Sequence, residues 1–325
     1  MYNIALIGAG QLGSRHLQGL AKIQFLSKIY VIDPDVQALE LARDRYHEMG
    51  GNLLVAELLL KTSIDELPQQ LDLVIVATNS NIRAAIIKSV LSKCAVRNFI
   101  FEKILFQKEK DYFEISELLK QKGINAWVNC PRRLFNGFRL LKELFSKNEP
   151  IFLSVTGGNW GLGCNSIHFI DLFAFITEDY DIELSMQFLS PVLLESKRSG
   201  FKEFAGTLIG KQKSGSTIIL NSDSLYNGNE SITIRGNHAI AIIDEAVGKI
   251  NMATEWNSWK WDEIKVEAKY QSLLTGSVAS EIIATNSCGL STFEDSVQLH
   301  VPFIRTFLNF YNSIASEKLD ACPIT

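Results

Sequence analysis

The sequence predicts an α/β protein in two parts: an N-terminal doubly wound parallel sheet, then an α+β unit with an open, largely antiparallel sheet. Three observations carry that expectation. Short apolar runs alternate with stretches of helical spacing from residue 3 to residue 129. Three glycines, Gly8, Gly10 and Gly13, stand where the first apolar run turns into the first helical stretch. From residue 130 onward, strand-like runs follow one another with turn signals and few helices between them. The expected boundaries are therefore 1–129 and 130–325.

The elements follow in order. NIALI (3–7) is long enough for a buried strand and too short for a helix. From Gln11, the residues Leu12, Leu17, Leu20 and Ile23 recur at helical intervals. KIYVID (28–33) is a second strand, ended by Asp33-Pro34. The stretch from Val36 reads as a helix stopped by Gly50-Gly51. LDLVIVATNS (71–80) is apolar on both faces, as a strand inside a parallel sheet must be. IRAAIIKSVLSK returns to helical spacing, and RNFIFEK (97–103), KDYFEISELLKQKG and INAWVN (124–129) repeat the cycle.

The glycines form G-x-G-x-x-G between a strand and a helix. Gly8 permits the tight turn, Gly10 lets a pyrophosphate approach the backbone, and Gly13 lets the helix pack on the strand. The helix start, with Gln11 and Leu12 in its first turn, offers free N–H groups and partial positive charge to phosphates. Asp33 follows Gly13 by 20 residues, where a ribose-binding carboxylate belongs. The pattern predicts a dinucleotide cofactor.

Beyond residue 130 the stretch NCPRRLFNGFRLLKELF reads as a hinge and a helix, with Arg132 and Arg133 as a solvated pair. Strands are expected at 151–158, 183–190, 203–212, 216–224, 230–244 and 264–269. Helices are expected at 166–177 and from Thr292 to residue 314, the latter opening on an acidic first turn.

Composition narrows the class. Net charge is −4 with no basic block, which argues against nucleic acid as a partner. No apolar stretch approaches the ~18 residues of a spanning helix, and the start lacks a basic n-region, so neither a membrane span nor a signal peptide is expected. Five scattered cysteines without C-x-x-C point to a reducing compartment, so a cytoplasmic location is expected. His16, His47, His238 and His300 form no metal-ligand spacing, and no metal is expected.

IALIGAGQLGSRHL, FEKILFQ, CNSIHFIDL, TFEDSVQLH and the closing CPIT stand in an order that resembles the Gfo/Idh/MocA oxidoreductases along nearly the whole chain. The resemblance implies a Rossmann domain, an NAD(P) cofactor, and a sugar, sugar derivative or nucleotide sugar as substrate. It implies a homodimer or homotetramer. It places Glu102 and Lys103 beside the nicotinamide ribose, with Lys103 reaching the substrate oxygen. Thr78, Asn79 and Ser80 would line the cofactor crevice, and His168 would donate or accept the proton. Asp171 would be the second polar residue on that helix, and Asn165, at the spacing i, i+3, i+6 with His168 and Asp171, a third.

Two positions depart from the pattern: Ile104 replaces the proline after Glu-Lys, and Cys164 replaces an aspartate. A thiol cannot orient an imidazole as a carboxylate does. That keeps open a second expectation, a catalytically silent dinucleotide- or sugar-binding regulatory protein on the same fold. An imine or lactone reductase, needing only proton donation from His168, is a third. Asp33, followed by Pro34 and Asp35 rather than arginine, predicts NAD over NADP, with Arg15 the nearby residue that would admit the phosphate.

Overall fold

A computed structural model describes residues 1–325 except 146–148, 224, 226–227 and 267–269. The chain divides into two compact units. The first comprises Met1–Phe106, Lys110–Asn129 and Lys269–Phe293; the second comprises Gln107–Glu109, Cys130–Ala268 and Glu294–Thr325.

The first unit is built on a seven-stranded sheet. In chain order its elements are β1 (Tyr2–Ile7), α1 (Gln11–Leu20), β2 (Ser27–Ile32), α2 (Val36–Glu48), β3 (Val55–Lys61), β4 (Leu73–Val76), α3 (Ser80–Lys93), β5 (Asn98–Phe101), α4 (Glu109–Lys122) and β6 (Asn125–Val128). The six strands pair in parallel in the order 6-5-4-1-2-3. Strands β4 and β5 are buried at every residue, which is why their sequences are apolar without alternation. Strand β3 was not foreseen. It is the edge strand, with Ala56 and Glu57 exposed, so its sequence carries neither a continuous apolar run nor strict alternation.

A second unforeseen element completes this unit. Helix α7 (Gln271–Thr285) is rich in Ser, Thr, Gly and Ala and lacks the apolar stripe that announces a helix. It packs on α1 through small residues. A Cβ on Gly276 would overlap the carbonyl oxygen of Gly19, and a Cβ on Gly19 would stand 2.7 Å from Thr275 Cβ. After it, Ser291–Thr292 pairs antiparallel with β6 as a two-residue edge.

The second unit opens with α5 (Asn136–Phe145), then β7 (Phe152–Gly157), α6 (Leu162–Thr177) and β8 (Ile182–Leu189). Strands β9 (Gly206–Gln212), β10 (Thr217–Ser222), β11 (Ser231–Arg235), β12 (Ala239–Asp244), β13 (Lys249–Thr254) and β14 (Asp262–Lys265) follow, and α8 (Phe293–Ile314) runs into this unit. The eight strands form one sheet in the order 8-9-10-7-11-12-13-14. All neighbours are antiparallel except β7 and β10. The run 230–244 is a hairpin rather than one strand, because the chain turns back at Gly236, whose N–H donates to the Ala239 carbonyl. The strand expected at 264–269 spans Asp262–Lys265, and 267–269 lie outside the described residues, as does Ser224 of the expected 216–224 strand. Helix α6 begins four residues before the expected 166. It is apolar on nearly every side and correspondingly buried. Phe204, Phe303 and Phe307 pack as an aromatic cluster, with centroids 4.7 Å and 4.9 Å apart.

The α1–α7 crossing makes a first prediction. Gly276→Ala forces a methyl group onto backbone that cannot move aside, and overpacking of this kind costs about 1–3 kcal/mol. Denaturant melts should show that loss at Gly276→Ala, and no comparable loss at Gly51→Asn, where a Cβ meets nothing within 4 Å and asparagine tolerates the left-handed backbone.

Candidate cofactor and catalytic site

The glycine turn in the first unit has the shape its spacing predicts. Gly8 adopts φ +95°, and a Cβ there would lie 3.0 Å from the Ala77 carbonyl carbon. A Cβ on Gly13 would overlap the Gly8 carbonyl oxygen, so α1 rests directly on the turn. At Gly10 the space is open: nothing stands within 4 Å of a Cβ position. No side chain caps the N-terminus of α1, which leaves its first N–H groups for a ligand. Gln11 is exposed and Leu12 half-buried in that first turn.

Asp33 has a second task. Its Oδ2 accepts the Ala9 N–H at 2.7 Å and its Oδ1 accepts the Asp35 N–H at 2.9 Å. The carboxylate therefore ties the glycine turn to the end of β2, and each oxygen keeps acceptor capacity for a ribose hydroxyl. A cleft of about 550 Å³ is lined by Gly8, Gly10, Asp33, Thr78, Asn79 and further residues of this unit. Thr78 Oγ1 is buried without a hydrogen-bond partner among the described residues. An open glycine, an uncapped helix start and an orphaned hydroxyl in one unit are what a dinucleotide would satisfy. The residues present fit the cofactor. Arg15 donates to Gln18 at 2.8 Å, and Lys93 pairs with Asp65 at the cleft wall.

Ser80, buried at the start of α3, and Glu102 and Lys103, just after β5, lie outside this lining. Glu102 is 3% exposed and belongs to a buried polar ring that the sequence did not announce. His16 Nε2 lies 2.8 Å from Glu102 Oε1, and Asn129 Nδ2 donates to the same oxygen. Burial pushes the Glu102 carboxyl up. The His16 and Asn129 hydrogen bonds, with His16 and Lys103 as nearby positive charges, outweigh it and hold the group below the usual carboxylate range. The Lys103–Ile104 peptide is cis, although no proline follows. Arg83, 2% exposed on α3, donates to the carbonyls of Thr78, Ile104 and Leu105. The hint to these residues was present in helix α1: Ser14, His16 and Gln18 are polar on a buried face.

In the second unit, helix α6 carries the other candidates. His168 and Cys164 are half-buried. Asn165 Nδ2 donates to the Trp160 carbonyl at 2.6 Å, closing the loop that leads into the helix. Asp171 is 1% exposed and receives two hydrogen bonds from Arg133, from Nε at 2.7 Å and Nη2 at 2.8 Å. Of the expected polar trio, Asn165 thus meets the Trp160 carbonyl and Asp171 meets Arg133. Asp171 is clamped by Arg133 as a bidentate carboxylate, which ties α6 to the segment that carries Arg133. Arg132 and Arg133 are not a solvated pair. Arg133 is buried against Asp171, and Arg132 lies 4.1 Å over the Phe169 ring and forks onto Glu245 at 2.6–3.1 Å. Burial works against the Arg133 charge, and the Asp171 carboxylate more than offsets it.

Glu203 also escaped the sequence reading. Its carboxylate accepts the N–H groups of Gly163 and, at 3.2 Å, Cys164, and so caps the start of α6. Glu203 comes from a strand pair distant in sequence, Leu194–Glu195 with Lys202–Glu203.

Residues 2–130 match the oxidoreductase family with an NAD-binding Rossmann fold known as GFO_IDH_MocA. No curated protein matches the sequence. Solved structures share the fold over almost the whole chain. UDP-N-acetylglucosamine 3-dehydrogenase GnnA from Acidithiobacillus ferrooxidans is 13% identical with a TM-score of 0.71, covering 94% of this chain and 96% of that one. An oxidoreductase from Agrobacterium radiobacter, solved with NAD+, L-tartaric acid and magnesium, is 14% identical with a TM-score of 0.75, covering 96% and 97%. A super-repressor mutant of Gal80p from Saccharomyces cerevisiae is 11% identical with a TM-score of 0.69, covering 94% and 95%.

The structural weight of the Arg133–Asp171 pair is testable. Asp171→Asn leaves the Arg133 charge buried without its counter-ion, and breaking such a pair from one side costs about 3–5 kcal/mol. Urea melts should register a loss of that size. A protein as stable as wild type would show that the Arg133–Asp171 pair does not hold the fold.

Proposed function

We propose that the chain, whose residues 2–130 match the Gfo/Idh/MocA family of NAD-binding Rossmann oxidoreductases, transfers a hydride between nicotinamide and a secondary alcohol or ketone of a sugar, sugar derivative or nucleotide sugar. The observation that carries the reading is the cleft in the first unit, where Gly10, Asp33 and the Thr78 hydroxyl fit a dinucleotide. The nucleotide-sugar activity named for the fold neighbour from Acidithiobacillus ferrooxidans supports the substrate class.

The bound nicotinamide supplies or accepts the hydride. The chain must then provide a cation for the developing alkoxide and a group to move the hydroxyl proton. Lys103 is assigned the first role and His168 the second. Asp33 takes the adenosine ribose hydroxyls and favours NAD over NADP. The chain is proposed to act as a homodimer or homotetramer in the cytoplasm; no described helix is long and apolar enough to cross a membrane. The second reading, a silent regulatory protein, draws on Cys164 at the usual aspartate position and on the Gal80p likeness.

A screen of sugars and nucleotide sugars for NADH formation separates the two. With a substrate in hand, Lys103→Ala and His168→Ala should each lower turnover by on the order of 10²-fold, with NADH affinity retained. Wild-type turnover in both variants removes them from the chemistry. A sugar that binds with cofactor and is never turned over favours the regulatory reading.

Gly10→Val places methyl groups in the open space above the turn and should abolish NADH binding in a folded protein; calorimetry that finds binding unchanged rejects the phosphate cradle. For cofactor choice, two unit charges ~4 Å apart at an effective dielectric of ~20 repel by roughly 4 kcal/mol. Solvent reduces this, so NADH should bind about 10- to 100-fold tighter than NADPH. Asp33→Ser should narrow that ratio while weakening both ligands, because the Ala9 and Asp35 N–H groups lose their acceptor.

A further inference from the structure

The buried ring around Glu102 reaches well beyond a single pair. His16 Nδ1 lies 3.0 Å from Thr275 Oγ1 on α7. Gln271 Nε2 donates to that hydroxyl at 2.9 Å, and Asn129 Nδ2 donates to Gln271 Oε1 at 2.7 Å. The circuit runs from α1 to the end of β5, to the end of β6, to α7 and back to α1, all inside the first unit. It tolerates either charge state of the imidazole. With Nε2–H donating to Glu102, a neutral ring accepts the Thr275 hydroxyl at Nδ1; a protonated ring donates there, and the hydroxyl turns to the Gln271 carbonyl at 3.3 Å.

Lys103 stands between two anchors. On one side Glu102 is held by His16 and Asn129; on the other the Ile104 and Leu105 carbonyls are held by Arg83. Ile104 and Leu105 are themselves fully buried. The backbone on both sides of Lys103 is therefore held. One anchor sits on α1, the helix whose N-terminus faces the cofactor cleft.

We infer that His16 is a positioning residue for Lys103: through Glu102 it sets where the Lys103 ammonium stands and how readily it gives up its proton, and it links that lysine to the helix that receives the dinucleotide. The inference deepens the reading given above and rests on Lys103 having a part in the chemistry. Among the described residues, His16 and Lys103 are the ionisable groups that act on the Glu102 carboxylate, and its charge acts in turn on Lys103. Remove the His16 donor and the Glu102 carboxylate loses the hydrogen bond that fixes it beside Lys103, and it turns toward its remaining donor, Asn129. The Lys103 ammonium then loses a neighbouring negative charge, and its titration midpoint falls.

The test needs no substrate. Competitive acetylation of the full-length protein across the alkaline range, read by mass spectrometry at Lys103, reports its titration midpoint with and without NADH. In His16→Leu the neutral fraction of Lys103 at a fixed pH should rise on the order of ten-fold, one pKa unit. His16→Gln keeps an amide donor within reach of Glu102 and should stay near wild type. Thr275→Val, which loses only the hydroxyl behind the imidazole, should shift in the same direction by less, and it carries the test if His16→Leu does not fold. NADH titrations by fluorescence should show weaker binding in His16→Leu than in His16→Gln.

A lowered melting temperature with an unchanged Lys103 midpoint overturns the inference, because a purely structural histidine would behave that way. The two readings fail separately. If Lys103→Ala keeps turnover, the functional assignment falls while the labelling result stands. If Lys103→Ala loses turnover and the midpoint ignores His16, only the positioning role falls.

Discussion

Helix α1 lies against the first sheet and against α7 with almost no side chain between them, and the first unit is organised around that closeness. Gly13 brings the helix onto the Gly8 carbonyl, and Gly19 meets Gly276 two turns further on. Three consequences follow from one approach. The helix start, which no side chain caps, follows directly on Gly10 of the cleft lining. His16 reaches Glu102 across the short gap. Thr275 and Gln271 come close enough to close the ring behind the imidazole. A larger residue at any of these glycines would separate elements that share hydrogen bonds, and the buried carboxylate would lose the donors that keep it charged.

The second unit solves a similar problem with ions. Helix α6 is apolar nearly all round, so little in its own sequence fixes its rotation about its axis. Asp171 on Arg133 supplies that, with Arg132 over Phe169 on a neighbouring side. Glu203 fixes the helix start. The half-buried His168 is thus carried on a helix held at its N-terminus and along its length. A buried ion pair contributes less to stability than to geometry, since desolvation consumes much of its attraction.

The parts of the molecule that the sequence disclosed share a property: their signal is local. The strand-turn-helix around Gly8, Gly10 and Gly13, the uniformly apolar β4 and β5, and Asp33 at the end of β2 each follow from steric or hydrophobic rules acting within a few residues. Edge strand β3 was missed because a strand with one neighbour need not be apolar on both faces. Helix α7 was missed because it packs through Gly, Ser and Ala, where close backbone approach replaces large apolar side chains.

The sequence alone determined the two-part α/β architecture and the glycine turn between β1 and α1, because periodicity and glycine spacing are short-range constraints that no distant residue can rewrite. Only the tertiary structure decided the partners. Residues 271–285, far along the chain, joined the first unit; Asp171 went to Arg133; Glu203 came to the helix start beside Cys164; and His16 went to Glu102, 86 positions away. A buried charge or donor takes whichever complementary group the fold brings within about 3 Å, and that choice is made by packing, after the local rules have been satisfied.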